Sequence, residues 1–240
     1  MTSNYAHNRY AMVLAAGLGQ RLRPLTNTLP KPLISVGGST MIDRILDHLV
    51  DGGITHVVVN THHMAGQIEM HLERRLSPKI SILHENKLLD TGGGVAHALP
   101  LLGSSSFLVT NSDVILLNGV QHFIRRMREV WRPHMLALLL VHPTVRSFGY
   151  NGFGDFMLDP DGRMRRRNER EVAPYLFTGV QILHRGLFDN CPSPPFSLNK
   201  IYDRAQSTDG LYGIVHDGAW MHVGTLNAVA SVDSHLSLLT

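Results

Sequence analysis

The sequence has little of what a disulfide-stabilised or membrane-spanning protein requires. Its 240 residues include a single cysteine, Cys191, which excludes an intrachain disulfide framework and is typical of a reducing compartment. No apolar run approaches the ~18 residues that a membrane span needs. Residues 1–10 are polar and contain no apolar core of a signal peptide. We therefore expect a soluble, cytoplasmic protein with no membrane partner.

An excess of one charge is also missing. The chain has 22 Lys and Arg against 19 Asp and Glu, and its hydrophobic content of 43% indicates an ordinary globular interior. Nucleic-acid binding would need a clustered basic surface. Arginines do cluster in residues 125–128 and 163–170, so nucleic-acid binding remains a remote alternative, although the expected partners include no nucleic acid.

Common metal-binding and repeat patterns are absent as well. Despite 15 histidines, the chain contains neither HExxH nor CxxC, and the adjacent His62 and His63 would point to different faces of any regular element. A structural zinc site is therefore not expected. There are no internal repeats, and the sequence does not determine whether the protein is a monomer or a small homo-oligomer.

The chain does contain an alternation of apolar strand patterns with amphipathic helix patterns. Strands are predicted at residues 10–14, 56–60, 79–84, 106–110, 135–141, 154–158, 176–183, 211–216 and 220–223. Helices are predicted from a cap at Ser39 or Thr40 to Gly52, at residues 65–76, 91–101, 120–131 and 198–206, and after Thr225. This order predicts an α/β fold: a Rossmann-like, mostly parallel mixed sheet with helices on both faces.

Three loops should meet at one edge of that sheet. Ligands of such sheets bind beyond the carboxyl ends of the strands, where residues 14–19, 85–94 and 111–113 fall.

The most distinctive stretch is residues 14–33, LAAGLGQRLRPLTNTLPKPL. Small residues allow a close approach of the backbone to a ligand, and glycine-rich turns after strands bind anions through clustered N–H groups. Arg21 and Lys31 add cations suited to phosphate, and the flanking prolines restrict the backbone around Lys31. Leu22 stands where a P-loop and a dinucleotide-binding fingerprint would each need a glycine, so neither motif matches.

This stretch resembles the signature GxGxRLxPLTxxxPKP of the sugar-phosphate nucleotidyltransferases, also called NDP-sugar pyrophosphorylases. The resemblance implies the nucleotide-diphospho-sugar transferase fold in one domain over residues 1–240. Residues 1–115 would form the nucleotide-binding half and residues 116–240 the sugar-phosphate-binding half. Because hexapeptide repeats are missing, the β-helix acetyltransferase domain of some longer relatives is not expected.

The reaction that the resemblance implies joins a nucleoside triphosphate and a sugar 1-phosphate, giving an NDP-sugar and pyrophosphate. Positioning and charge neutralisation should carry the catalysis, with Arg21, Lys31 and Asp113 as catalytic residues. Asp113, in the string LVTNSDV, would hold Mg²⁺ between the phosphates. Nucleotide contacts are expected from Leu14, Ala15, Ala16, Gly17, Gly19, Gln20, Arg21, Glu85, Thr91, Gly92 and Gly93. Glu85 would help to recognise the base, and we attribute the glycines after Thr91 to a close backbone approach to a ligand.

The sugar-phosphate side is less specific. By the resemblance, contacts are expected from Asn111, Gly149, Asn151, Glu169, Thr178 and Gly179. The family often has Glu-Lys-Pro before the position of Thr178, whereas this chain has RMRRRNEREVAPYLF, with Glu169 or Glu171 as candidates and no lysine.

A second departure concerns the metal. Residues 218–225 resemble the family string GxWxDVGT, whose aspartate is the second metal ligand, but the chain has His222 in that position. Imidazole is neutral and softer than a carboxylate, whereas magnesium prefers oxygen ligands. With Asp113 and His222 as ligands, we expect relatively better activity with Mn²⁺ or Co²⁺.

Within the family, the compact length and the strings LDTGGGVAHALPLLG and NSDV are most similar to the N-acetylmuramate-1-phosphate uridylyltransferases of cell-wall (peptidoglycan) recycling. The same outline suits mannose-1-phosphate guanylyltransferases and other hexose-1-phosphate enzymes. The residues do not separate uracil from guanine. A relative that senses nucleotide sugars without turnover is a further alternative.

Overall fold

The computed structural model describes residues 9–103 and 105–238; most of the polar N-terminus, on which the expectation about a signal peptide depends, lies outside them. The helices are α1 (Met41–Asp51), α2 (Ala65–Leu72), α3 (Asp90–Ala98), α4 (Phe123–Val130), α5 (Asn199–Ser207) and α6 (Leu226–Ser237). The strands are β1 (Tyr10–Leu14), β2 (Ser35–Val36), β3 (Ser39–Thr40), β4 (His56–Thr61), β5 (Lys79–His84), β6 (Ser106–Asn111), β7 (Val114–Leu116), β8 (Ala137–Pro143), β9 (Phe156–Leu158), β10 (Met164–Arg166), β11 (Tyr175–His184), β12 (Leu211–Val215) and β13 (Trp220–His222).

One mixed sheet forms the centre of the described chain. Its order is β10-β9-β11-β6-β1-β4-β5, with β8 between β11 and β12. The segment β6-β1-β4-β5 is parallel, and β11 runs antiparallel to β6 and β8. Leu14 at the end of β1 pairs with Asn60 on one side and Asn111 on the other. The carboxyl ends of three strands therefore lie side by side, as predicted.

The alternation of side chains along β1 explains the layers on both faces of the sheet. Ala11 and Val13 belong to a buried cluster that includes Ile42 and Leu46 of α1. Met12, between them, points the other way and packs in the cluster that contains Val95 of α3. The prediction of an α/β sheet with helices on both faces is confirmed.

The first helix shows how local signals determine an element. The Thr40 hydroxyl accepts a hydrogen bond from the Asp43 N–H at 3.2 Å, which caps α1 at its predicted start. Buried Ile42, Ile45 and Leu49 form one face, and the helix ends before Gly52.

The ends of α2 and α3 and the start of α4 differ from the prediction by three or four residues, and α3 ends at Ala98 rather than at residue 101. Helix α2 ends at Leu72 rather than at residue 76, and Leu76 is 99% exposed instead of packing on the apolar face. Pro78 follows closely, and the residue before a proline avoids helical geometry. Helix α4 begins at Phe123, whose N–H bonds the Asn118 side chain, so Val120 stays outside the helix.

Many arginines of the two basic clusters bond to the protein itself. Arg125 donates to the Asp51 carbonyl and Arg128 to that of Gly52, so both satisfy the C-terminal end of α1. Arg165 forms an ion pair with Glu171, and Arg166 pairs with an aspartate of α5. These contacts give the arginines structural roles and do not favour nucleic-acid binding. Within residues 9–103 and 105–238, no helix is long and apolar enough to cross a membrane.

Candidate functional site

A cavity of about 760 Å³ lies beyond the carboxyl ends of β1, β4 and β6. Predicted site residues on its wall are Leu14, Ala15, Ala16, Gly17, Gly19, Gln20, Arg21, Lys31, Glu85, Thr91, Asn111 and Asp113. Further wall residues, for which the sequence analysis predicted no ligand contact, are Leu18, Leu22, Pro32, Asn60, Leu88, Asp90, Ser112, Pro195 and Gly224. The three predicted loops therefore do converge at one site.

The two glycines of the first turn serve different purposes. Gly17 faces open space, with no atom within 4 Å of the position that a Cβ would occupy. Gly19 has a left-handed φ of 60°, and a Cβ there would lie 3.0 Å from Thr26 and 3.2 Å from Lys31. Gly17 leaves room for a ligand, whereas Gly19 allows the turn to pack against the segment that carries Lys31.

Lys31 and Asp113 meet on the cavity wall. Lys31 Nζ donates to Asp113 Oδ2 at 2.5 Å, with side chains 11% and 32% exposed. Lys31 comes from the loop after β1 and Asp113 from the end of β6, 82 residues away in sequence. The ion pair gives the ammonium a defined position beside the carboxylate, and Arg21 is exposed on the same wall.

His222 is close to this charged group but not on the wall. A Cβ at Gly224, which does line the cavity, would lie 2.2 Å from His222 Nε2, so only glycine leaves room for the imidazole. Burial, Lys31 and Arg21 lower the pKa of His222, and Asp113 opposes the shift. The ring is therefore neutral at neutral pH, which is the form that can bind a metal.

The donor set limits what kind of metal ion the site can hold. Among the described residues, no three His, Cys, Asp or Glu side chains form a cluster able to bind an ion. Asp113, with His222 nearby, fits an ion that takes most of its ligands from phosphate oxygens and water, as Mg²⁺ commonly does with nucleotides. It does not fit a metal centre built entirely from protein side chains.

Asn60 is a cavity residue that the sequence analysis missed. Its side chain is buried at the end of β4 and connects the Ala15 N–H, at 2.8 Å, to Glu85 Oε1, at 2.7 Å. The Ala15 N–H is therefore used inside the protein and is not available to a ligand. No local signal marks Asn60, because both partners are distant in sequence.

The first two glycines of α3 pack against the protein itself, contrary to the prediction of a close approach to a ligand. Gly92 and Gly93 do not line the cavity. A Cβ at Gly92 would lie 2.5 Å from the Phe196 ring, and one at Gly93 would lie 2.9 Å from Pro194. The Gly93 N–H also donates to the Phe196 carbonyl at 3.0 Å. These glycines allow close packing of residues 194–196 on the helix, not of a ligand.

The predicted sugar-phosphate contacts are spread over different surroundings. Of that set, Asn111 lines the cavity. Gly179 lies behind it: its φ is 94°, and a Cβ there would lie 3.1 Å from Asn111 Nδ2. Thr178 is fully buried and donates its hydroxyl to the Leu140 carbonyl at 2.7 Å, which is a structural role. Gly149 packs near the His222 backbone, with 3.3 Å from its Cβ position to the His222 oxygen.

Asn151 and Glu169 are exposed and away from the cavity wall. Glu171, the other candidate, is held by Arg165, whose hydrogen bonds lower the pKa of the Glu171 carboxyl to about 2. The Glu171 carboxylate thus binds an arginine of its own loop, and neither Glu169 nor Glu171 lines the cavity.

Comparisons with known proteins match nearly the whole chain. The family model described as Nucleotidyl transferase matches residues 10–237. An N-acetylmuramate alpha-1-phosphate uridylyltransferase of Caulobacter vibrioides is 37% identical over 235 residues, which cover 95% of this chain and 97% of the relative. A protein with the same name from Neisseria meningitidis serogroup B is 34% identical over 221 residues, covering 90% and 93%.

The fold is similar to that of a solved enzyme. The UTP-bound UGPase from Acinetobacter baumannii superposes with a TM-score of 0.79, covering 97% of this chain and 94% of that one, at 18% identity. At this identity the likeness concerns the architecture alone.

Proposed function

The chain belongs to the nucleotidyl transferase family, and we propose that it joins UTP and N-acetylmuramate 1-phosphate to give UDP-N-acetylmuramate and pyrophosphate. One observation carries the proposal: the residues of the GxGxRLxPLTxxxPKP stretch and Asp113 line one cavity, in a chain whose uridylyltransferase relatives match it almost end to end.

We assign the nucleotide to the first half of the chain, and the sugar phosphate to the second half together with Asn111 at the end of β6. The turn at Ala16–Gly19 and Arg21 support the triphosphate, because open backbone and a guanidinium fork suit phosphate oxygens. Glu85 and Thr91, at the other loops of the cavity, support the base and ribose end. Asn111 and the neighbouring Gly179 support the sugar phosphate.

The chemical step is an in-line displacement at phosphorus. A phosphate oxygen of the sugar 1-phosphate attacks the α-phosphorus of UTP, a new P–O bond forms, and the bond to the bridging oxygen breaks, so pyrophosphate leaves with its electron pair. No covalent enzyme intermediate is needed. Arg21 and Lys31 stabilise the charge that develops on the phosphates, and a well-placed arginine in such a reaction contributes about 10³–10⁵ in rate.

A divalent cation belongs to the chemistry of this family, and we assign its binding to Asp113, with His222 close by. When bound, Mg²⁺ would lower the repulsion between the two phosphate groups. Lys31 donates to Asp113 Oδ2 at 2.5 Å and so holds the carboxylate in place at the cavity wall.

A pyrophosphate-release screen tests the proposal. Crossing UTP, GTP, dTTP and CTP with N-acetylmuramate 1-phosphate, mannose 1-phosphate and other sugar 1-phosphates should give the highest kcat/KM for UTP with N-acetylmuramate 1-phosphate. The highest value for GTP with mannose 1-phosphate would favour the guanylyltransferase alternative. Nucleotide binding without pyrophosphate release in every combination would favour a sensor.

Asp113→Asn tests the assigned site, and Arg165→Gln is its matched control. The first removes the carboxylate from the cavity wall and should abolish release. The second removes a charge from the exposed loop, where Arg165 pairs with Glu171, and should leave release unchanged. Release that survives in Asp113→Asn would contradict the assigned site.

A further inference from the structure

Asn60 holds together the ends of neighbouring strands at the cavity. It is 3% exposed, lies at the end of β4 and lines the cavity together with Glu85, which is 2% exposed. Its Oδ1 accepts from the Ala15 N–H at 2.8 Å, and its Nδ2 donates to Glu85 Oε1 at 2.7 Å. Because a backbone N–H can only donate, the contact with Ala15 determines which amide atom is the oxygen.

The surroundings of Glu85 make it an acceptor of hydrogen bonds. Its second oxygen, Oε2, accepts from the Leu89 N–H at 3.1 Å. Both carboxylate oxygens are therefore held by donors of the protein. An ionised carboxylate retains acceptor capacity but has no proton to donate. Toward the cavity, Glu85 can bind only a group that carries N–H or O–H.

We propose that Asn60 is a positioning residue for base selection: it fixes Glu85 as an acceptor toward the cavity, so the site prefers bases that present a ring N–H donor. Uracil and guanine carry such a donor on their pairing edge, whereas cytosine presents a ring nitrogen acceptor in its place. The inference rests on the proposed function in one respect, the location of the base at this end of the cavity.

Gly94 supports the same arrangement independently. A Cβ at this position would lie 2.9 Å from Glu85 Oε1, closer than real Cβ contacts allow, and 3.0 Å from Asn60 Nδ2, which is tighter than most of them. Gly94 does not itself line the cavity. The third glycine of α3 is thus explained by the space that the hydrogen bond between Asn60 and Glu85 requires.

Asn60→Asp tests the proposal by changing the donor into an acceptor while keeping the shape. An aspartate still accepts from the Ala15 N–H, but it has no N–H to donate to Glu85 Oε1 and its negative charge repels the Glu85 carboxylate, so Glu85 loses the contact that fixes its orientation. The ratio of UTP to CTP affinity, measured by calorimetry at neutral pH and matched magnesium without sugar phosphate, should fall roughly 10- to 100-fold. Asn60→Ala, which frees Glu85 to reorient, should also lower the ratio.

Thr61→Val is the matched control. Thr61 is the next residue of β4, is fully buried and contacts Glu69 at 3.4 Å, and neither Thr61 nor Glu69 lines the cavity. This variant should keep the wild-type ratio even if the protein becomes less stable. Should Asn60→Asp fail to fold, Gly94→Ala disturbs the same hydrogen bond from the helix side and should shift the ratio in the same direction.

Equal loss of UTP and CTP affinity in the Asn60 and Gly94 variants would overturn the proposal and leave Asn60 with a structural role. The outcome is separate from the test of the proposed function. Missing pyrophosphate release with N-acetylmuramate 1-phosphate would refute the assigned reaction, but it would not alter a measured binding preference between two nucleotides.

Discussion

Acid should weaken this fold in part through a buried histidine, His216. The imidazole is 2% exposed and lies 3.0 Å from the Leu117 carbonyl and 3.3 Å from that of Ala219, to which its Nε2–H donates. Its Nδ1 is buried and has no hydrogen-bond partner in the described chain. Burial is the main cause that lowers the pKa of His216 to about 4 from 6.5. The two carbonyls belong to the segments around β7 and β13, which follow Asp113 and carry His222.

The sign and size of the effect follow from proton linkage. The pKa of His216 is lower in the folded protein than in the unfolded chain, so the unfolded chain takes up the proton first. The stabilising contribution is complete above the unfolded pKa and is lost as the pH falls from about 6.5 towards about 4. One such group reduces the free energy of unfolding by about 2 kcal/mol between about pH 7 and about pH 5.

Urea denaturation of the wild type and of His216→Gln at both pH values measures this effect. Glutamine can donate to the same carbonyls but does not titrate, so the wild type should lose about 2 kcal/mol more than the variant on acidification. His134→Gln, which removes an exposed histidine, serves as the control and should behave like the wild type. An equal loss in His216→Gln and wild type would refute the reasoning.

Two further predictions concern the site, and one concerns the packing on α3. Arg21→Ala should lower kcat by about 10³ or more and raise the UTP KM much less; steady-state kinetics with near-normal kcat would contradict its role. Gly92→Ala should reduce the free energy of unfolding, measured by urea denaturation, by about 1–3 kcal/mol, because its Cβ would lie 2.5 Å from Phe196. Adding Phe196→Leu to this variant should restore most of the loss. No loss in Gly92→Ala would show that residues 194–196 move aside. When turnover is measured with a panel of divalent metals, the ratio of the rate with Mn²⁺ or Co²⁺ to the rate with Mg²⁺ should be higher in the wild type than in His222→Asp, whose site offers only oxygen ligands. Turnover of the wild type with Mg²⁺ alone would contradict direct ligation by His222.

Elements with a cap, a periodic apolar face and a glycine stop were predictable from the sequence. Helix α1 begins after Thr40 and ends before Gly52, as expected. The predicted helix at residues 65–76 is too long, because Leu76 continues the apolar spacing although the chain already approaches Pro78. The β2–β3 hairpin was missed, although Gly37 and Gly38 both have positive φ and form the two-residue turn that such a pair indicates.

The site was predictable where it is contiguous in sequence. Arg21 and Lys31 could be predicted together because one sequence signature contains both, and both lie on the cavity wall. Asn60 was not predictable, because its significance depends on Ala15, 45 residues away, and on Glu85, 25 residues away. Gly92 could not be interpreted correctly for the same reason. The sequence around it is compatible with a ligand contact, but the space beside it is occupied by Phe196, which is distant in sequence.

The position of the triphosphate is the most direct test of the account. A crystal structure with UTP and a divalent ion should show the triphosphate against residues 15–21, within hydrogen-bond distance of Arg21 and Lys31, and the uracil beside Glu85. A triphosphate bound elsewhere on the protein, with this cavity empty, would contradict the assignment.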